Sequence, residues 1–179
     1  MPQLVALSLS IGVLGGIWAF LALGPLAGFV LVWAGFVAWG CYFHSGGNTD
    51  ALVKTIVGNI YGVFVAWIAL LIIVNVSIAA LGVIWPAIVV AVTVFFLVIV
   101  ASVDKLSVVP ANVYGYAATV AYSLHHQGAE GAPGPLQSLT AASFQNPLVL
   151  LIVSMVIGAL FGYVSGQVAE ALTKKAKSA

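Results

Sequence analysis

The sequence predicts an all-α fold, a polytopic membrane bundle of six transmembrane helices with an internal repeat of a two-helix hairpin. The 179 residues are 63% hydrophobic, with a mean hydropathy of +1.21. Charged side chains make up 5% of the chain, whereas an ordinary soluble domain carries about 25%. The charge-free tracts 1–49, 55–103, 106–129 and 131–169 must hold the spans. A water-soluble globular protein is therefore excluded, and the lipid bilayer is the expected surrounding.

Six segments of these tracts are long enough to cross a membrane, since about 20 apolar residues span the hydrocarbon layer. Gly, Pro and charged residues separate them. The first segment ends before Gly24-Pro25, and the second ends at the polar turn 44–50. The predicted spans of this single domain, residues 1–179, are about 4–23, 26–43, 52–76, 85–103, 109–124 and 147–169.

The later spans are bounded in the same way. The fourth begins near Trp85-Pro86, because proline suits the first turn of a helix, and the charged pair Asp104-Lys105 ends it. The fifth is shorter, and a polar loop at 125–146 connects it to the last span.

The lysines indicate how the bundle is oriented, because basic residues collect in the cytoplasmic connections of membrane proteins. Six crossings place both termini on one side of the membrane, and every lysine falls on that side. These residues are Lys54, Lys105, Lys174, Lys175 and Lys177. We therefore expect cytoplasmic termini and an outer loop at 125–146, which carries Glu130.

A short motif occurs twice. The run Asn-Ile-Tyr-Gly at 59–62 recurs 53 residues later as Asn-Val-Tyr-Gly at 112–115, each near the start of a span. The shift comprises an even number of crossings, so spans two and three correspond to four and five. The two hairpins are then parallel, about an axis along the membrane normal.

Polar and small residues form one stripe on each of the two repeated helices. The stripes comprise Thr55, Asn59, Gly62 and Ala66 on the third span, and Asn112, Gly115 or Tyr116, Thr119 and Ser123 on the fifth. Such a stripe either packs helices together, with about 0.6–2 kcal/mol from an amide hydrogen bond, or faces a narrow polar path. For a path we expect the lining groups to be Asn59, Tyr61, Asn112, Tyr114 and Thr119.

Two further sets of side chains are candidates for such a path. Trp33, Trp39 and Trp67 either form apolar constrictions or anchor the helices at lipid and at the membrane boundary. His125 and His126 either sense acidity or are simply solvated in the loop. Imidazole suits a sensor of acidity because it titrates at about pH 6.5.

Glycines four residues apart occur in three spans, a pattern that lets helices approach closely. They are Gly12 and Gly16, Gly58 and Gly62, and Gly158, Gly162 and Gly166. We expect them to pack helices within one chain, with any remainder forming the subunit interface of a homo-oligomer.

The composition also excludes classes of function. A net charge of +1 without arginine provides no surface for nucleic acid, and we expect no such partner. Cys41 is the single cysteine, and neither a catalytic Ser/His/Asp or Cys/His motif nor metal-ligand spacing is present. We expect no enzymatic activity, no metal and no cofactor.

The run 33–47, Trp-Ala-Gly-Phe-Val-Ala-Trp-Gly-Cys-Tyr-Phe-His-Ser-Gly-Gly, together with segment 54–62, resembles the bacterial inner-membrane family of unknown function typified by YcdZ. This resemblance covers nearly the whole chain. It implies a small six-span protein of the bacterial inner membrane, without an activity or site. In architecture alone, the chain also resembles the acid-activated urea channels and their amide-channel relatives, which assemble as rings.

These observations predict a passive, homo-oligomeric channel or facilitator for a small uncharged solute such as an amide, an alcohol or a dissolved gas. Uncharged polar groups suit such a solute. The alternative is a non-transporting scaffold or accessory subunit whose glycine faces bind another membrane protein. An ion-coupled transporter ranks third, because it ordinarily keeps an ionisable residue in mid-membrane, and all four carboxylates lie outside the spans or at their ends.

Overall fold

The structure, a computed structural model, describes residues 1–128 and 132–177, with side chains to residue 174. Its regular elements are helical. The α-helices of this part are α1 (Gln3–Leu23), α2 (Val32–His44), α3 (Thr49–Asn75), α4 (Ile84–Ile99), α5 (Val109–His125) and α6 (Pro147–Lys177). Short 3-10 turns lie at Ala79–Leu81, Val100–Ser102 and Asp104–Leu106. Glu130 and the side chains of Lys175 and Lys177 lie outside the described part.

The predicted all-helical class is confirmed. Among the described residues four helices are long and apolar enough to cross a membrane, namely α1, α3, α6, and α4 together with the 3-10 turn that follows it. These helices expose large apolar side chains such as Leu4, Phe20 and Phe95. Because water would oppose that exposure, the apolar helices indicate a lipid environment.

The other two helices are shorter, with 13 residues in α2 and 17 in α5. At 1.5 Å per residue they rise about 20 Å and about 25 Å. Both lengths fall below the hydrocarbon thickness of about 30 Å.

Local sequence explains where three helices begin. Asn48 caps α3, because its Oδ1 accepts a hydrogen bond from the backbone N–H of Ala51 at 2.8 Å. Asn146 caps α6 in the same way, accepting from the N–H of Leu148 at 2.9 Å. Asparagine is among the preferred residues at this position. Pro110 lies in the first turn of α5, where a missing N–H costs no intrahelical bond.

The connection from α1 to α2 differs from the predicted second span. The sequence predicts that span from residue 26, but the helix begins only at Val32. Gly24-Pro25 interrupts the helix because proline lacks a backbone donor. Gly28 has a φ of +83°, a conformation that favours glycine. Residues 24–31 are therefore non-helical.

The end of this non-helical segment nevertheless packs into the bundle. Val30 is buried, and the N–H of Leu31 donates to Oγ of Ser154 in α6 at 2.9 Å. The indole N–H of Trp18 donates to the carbonyl of Val32 at 2.9 Å. Backbone outside helices needs such partners at membrane depth, because lipid offers none.

The bundle has two halves joined by α3 and α6. α6 packs against α1, α2 and α3, whereas α3 also packs against α4 and α5. The core between the halves contains Ala38, Val63, Ala118 and Met155, one from each of α2, α3, α5 and α6. We call the end of the bundle that carries Lys54 the lysine end, and the opposite end, which carries residues 132–146, the loop end.

Glycine lets α2 and α6 touch backbone to backbone. A Cβ placed on Gly158 would collide with the carbonyl oxygen of Gly35, and one on Gly35 would lie 2.6 Å from Cε2 of Trp18. The spaces beside Gly12 and Gly16 of α1 are open, with no atom within 4 Å of an added Cβ. The glycines of α6 therefore pack helices within the chain, whereas Gly12 and Gly16 of α1 face outward.

We predict opposite effects of alanine at these two kinds of glycine. Gly158→Ala should destabilise the bundle by about 1–3 kcal/mol, because its methyl group has no space. Gly16→Ala should be neutral or stabilise by about 0.5–1 kcal/mol, because it only restricts the unfolded chain. Unfolding of both variants in a detergent titration, followed by tryptophan fluorescence, measures the difference. Equal stabilities would contradict the described α2–α6 contact.

Candidate functional site

The two copies of the Asn-x-Tyr-Gly run meet where α3 and α5 cross. A Cβ on Gly62 would collide with the carbonyl oxygen of Asn112, and a Cβ on Gly115 would collide with that of Asn59. The contact is therefore reciprocal, with the glycine of each copy against the asparagine of the other. Only residues without a side chain allow two helix backbones to come this close.

Both asparagines are buried at this crossing, with exposed fractions of 1% for Asn59 and 0% for Asn112. Nδ2 of Asn112 donates to the carbonyls of Leu97 at 3.3 Å and Leu106 at 3.1 Å. Its Oδ1 has no hydrogen-bonding partner among the described residues, and neither amide atom of Asn59 has one. A buried polar atom without a partner costs about 1–3 kcal/mol. These atoms are therefore the candidate hydrogen-bonding groups of the site.

The predicted stripes are buried along the same contact. Thr55 and Thr119 are 0% exposed, and Ser123 is 2% exposed. Oγ1 of Thr55 donates to Oγ of Ser45 at 3.2 Å, and Oγ1 of Thr119 donates to the carbonyl of Gly115 at 2.9 Å. Oγ of Ser123 has no partner within the described part. Uncharged polar groups thus follow the contact from the lysine end to the loop end.

The two motif tyrosines lie away from the asparagine pair, because residues two positions apart lie on opposite sides of a helix. The hydroxyl of Tyr61 donates to the carbonyl of Phe96 in α4 at 3.0 Å. The hydroxyl of Tyr114 lies 3.1 Å from Nδ1 of His44, the last residue of α2. Tyr61 of α3 therefore contacts the C-terminal part of α4, and Tyr114 of α5 contacts the C-terminal end of α2. The structure does not bring the two tyrosines into one site with the asparagines.

The three candidate tryptophans have different surroundings. Trp39 is 3% exposed, and its indole N–H donates to Oγ of Ser165 in α6 at 3.0 Å. The indole of Trp67 donates to the carbonyl of Leu139 at 2.8 Å and ties the loop to α3. Trp33 is 40% exposed. They do not form one constriction within the chain.

The candidate histidines lie at the loop end. The ring of His126 stacks on Tyr122, with centroids 4.8 Å apart. His125 and His126 are exposed, and with Trp33 they line an open cavity of about 400 Å³. Their role as pH sensors stays a prediction.

Other cavities open at both ends of the bundle. At the loop end, a cavity of about 740 Å³ lies between the α1–α2 connection, α5 and the loop, and one of about 290 Å³ reaches Ser123. At the lysine end, a cavity of about 510 Å³ is bounded by Gln3, Phe43 and Glu170. The residues that line these cavities do not include Asn59 or Asn112, which are packed between the two ends.

Lys54 is paired with two carboxylates at the lysine end. Nζ of Lys54 lies 2.9 Å from a carboxylate oxygen of Asp50 and 3.3 Å from one of Asp104. This ion pair connects α3 to the turn before α5 and leaves the buried stripe uncharged. Among the described residues no group of three or more His, Cys, Asp or Glu side chains could hold a metal ion.

Sequence reasoning overlooked the polar partners on α6, Ser154 and Ser165. They are 11 residues apart, about three helical turns, and therefore lie on one face. Two serines on one face of an apolar span are the sequence signal that could have identified them. Gln127 and Gln137, which line the cavity at Ser123, had no signal, because the fold of the loop brings them together.

Comparison with known families gives one match, over residues 8–170, to the family described as Protein of unknown function (DUF1097). The chain belongs to this family. No curated protein and no solved structure matches it. Membership of DUF1097 agrees with the predicted family of unknown function, whereas the resemblances to YcdZ and to urea and amide channels stay predictions.

The two asparagines of this DUF1097 protein should respond differently to substitution. Asn59→Leu removes two unpaired buried polar atoms at similar volume, so the free energy of unfolding should stay equal or rise by about 1–3 kcal/mol. Asn112→Leu also breaks two hydrogen bonds and should lower it by about 1–2 kcal/mol. Detergent titration of both variants measures the two values. A large loss for Asn59→Leu would show that its amide has a partner.

Proposed function

We propose that this protein is a passive facilitator for a small uncharged solute, and that the buried contact of α3 and α5 provides its hydrogen-bonding groups. The observation that carries the proposal is the set of unpaired amide atoms of Asn59 and Asn112. Polar atoms held unpaired inside a membrane protein are hypotheses of function by default. A passing solute would satisfy them.

The uncharged character of the contact favours a neutral solute. Asn59, Asn112, Thr119 and Ser123 offer donors and acceptors but no charge, and Lys54 is already paired with two carboxylates. An ion would require compensating charge in mid-membrane. Amides, alcohols and dissolved gases need none. Because the asparagines are packed between the cavities, passage on this proposal requires α3 and α5 to separate slightly.

The proposal includes a topology of six crossings in the bacterial inner membrane, with both termini cytoplasmic and the loop end outside. In support, residues 24–31 extend the short α2 toward the loop end, and Val30 and Leu31 at the end of this segment pack into the bundle. The reciprocal crossing supports two parallel hairpins, α2–α3 and α4–α5, related by an internal repeat. The tyrosine contacts support the same relation, because each hairpin gives one tyrosine to the other.

Cysteine labelling tests this topology. In a Cys41→Ala background, a cysteine replacing Gln127 should react with a membrane-impermeant maleimide in intact cells. A cysteine replacing Lys105 should react only after the membrane is opened. If both cysteines reacted in intact cells, both ends of α5 would face the same side of the membrane. That result would contradict six crossings.

Permeability of sealed proteoliposomes tests the function. Stopped-flow light scattering should show faster entry of at least one of urea, small amides and small alcohols than in empty vesicles. Asn59→Leu and Asn112→Leu should each slow that solute about tenfold, equivalent to about 1.4 kcal/mol in barrier height. The matched control is Asn75→Leu, because Asn75 is exposed and bonds its own helix at Leu71, 2.8 Å away.

Three outcomes would contradict the proposal. In the first, every tested solute enters vesicles that contain inserted, folded protein no faster than it enters empty vesicles. In the second, both asparagine variants fold and leave permeability unchanged. A dependence of uptake on a proton or sodium gradient would instead favour a coupled transporter.

The second candidate is a scaffold or accessory subunit, favoured by the open glycine face of α1. No atom lies within 4 Å of a Cβ added at Gly12 or Gly16, and such a face suits a partner helix. A homo-oligomeric channel would use this face for its own copies. Native mass determination after gentle extraction separates the two, since a scaffold gives a hetero-complex and a channel a closed homo-oligomer.

A further inference from the structure

A small cavity at the loop end is lined by several polar residues. It measures about 290 Å³ and lies between the end of α5 and the loop. Ser123, His126, Gln127 and Gln137 are the polar side chains on its wall. Pockets for drug-sized ligands measure about 300–1,000 Å³. This cavity therefore suits a molecule of a few non-hydrogen atoms.

Ser123 is the buried polar group of this cavity. Its side chain is 2% exposed, and its Oγ has no hydrogen-bonding partner among the described residues. A hydroxyl both donates and accepts, so it suits a ligand that does the same. His126, Gln127 and Gln137 are the other polar residues that line the cavity.

Two glutamine side chains complete the polar wall. Gln137 lines the cavity beside Gly134, and its Oε1 lies 2.8 Å from the position that a Cβ on Gly134 would occupy. Gln127 follows Ser123 by four residues. Each primary amide has two N–H donors and one carbonyl acceptor. The described residues on this wall include no Asp, Glu, Lys or Arg.

Ser123 belongs both to the wall of this cavity and to the buried stripe. Ser123 ends the stripe of α5 that contains Asn112 and Thr119. The 11 residues from Asn112 to Ser123 correspond to about 16 Å along the helix. A solute held at Ser123 would thus lie at the loop-end entrance of the contact that carries the proposed function.

We propose that this cavity binds a small primary amide at the loop end, with Ser123, Gln127 and Gln137 as its hydrogen-bonding groups. The inference rests on the proposed function, which it deepens by naming an entry site and a solute class. A primary amide matches the wall because it presents both N–H donors and a carbonyl acceptor. A carboxylate of the same shape presents only acceptors and a charge, and the described residues of the wall include no Lys or Arg to receive it.

Protection of a cysteine at Ser123 tests this proposal without any transport. Ser123→Cys changes one atom, and in a Cys41→Ala background it gives the full chain a single thiol. The rate of its modification by methyl methanethiolsulfonate is measured in nanodiscs, with acetamide or acetate added. Acetamide should lower the rate at least about threefold at saturation, and acetate at equal concentration should leave it unchanged.

Three further variants make the test specific. Gln127→Cys, an exposed position on the same wall, replaces Ser123→Cys if that variant fails to fold. Ser102 is exposed at the opposite end of the bundle, so acetamide should not change the modification rate of Ser102→Cys. Adding Gln137→Leu to Ser123→Cys should abolish the protection while leaving the uninhibited rate within about twofold.

Each result distinguishes this site from the proposed function. Absence of protection, equal protection by acetate, or no modification at either reporter position overturns the site, even if vesicles still show solute transport. Protection that is lost with Gln137→Leu supports the site. If such protection occurs while every solute matches empty vesicles, the site stands as a binding site and the facilitator function fails.

Discussion

The backbone contact between α3 and α5 determines the arrangement of the rest of the bundle. In lipid no hydrophobic force draws apolar helices together, so close packing of small residues must hold them. Gly62 and Gly115 supply that closeness, each against the carbonyl of an asparagine on the other helix. α3 also packs against α4 and α6. The crossing therefore holds the half made of α3, α4 and α5 together, and the packing of α3 on α6 joins the other half to it.

The same closeness creates the unusual chemistry of the interior. Because each glycine lies against an asparagine backbone, the side chains of Asn59 and Asn112 are forced into the helix contact, where most amide atoms find no partner. The packing energy of the crossing must offset this cost. Packing and function are thus not exclusive interpretations of the repeated motif. The glycines allow α3 and α5 to pack closely, and the amides give the contact a polar character that packing alone does not require.

Sequence patterns sufficed for the helices and for the stripe, and failed where the chain leaves helical geometry. The spacing of Asn112, Thr119 and Ser123 places them on one face without knowledge of the neighbours. Periodicity could not show that Trp39 bonds Ser165, because side-chain partners on distant helices depend on packing. Nor could it place Gln137 near Ser123, since a loop has no period. The non-helical start before α2 had a local signal in Gly24-Pro25, but its burial depended on α6.

The hydrogen bond from Leu31 to Ser154 has a consequence for biosynthesis. The two residues are 123 positions apart, and the ribosome supplies α6 last. The N–H groups of Leu26, Ala27 and Phe29 are bonded within α1 and the segment itself, but the N–H of Leu31 has no hydroxyl to bond until α6 is present, and lipid tolerates an unpaired donor poorly. We therefore expect the start of α2 to stay at the insertion machinery or the membrane surface until the final helix arrives. On that expectation, insertion of this chain is completed from its C-terminal end, although its synthesis begins at the other.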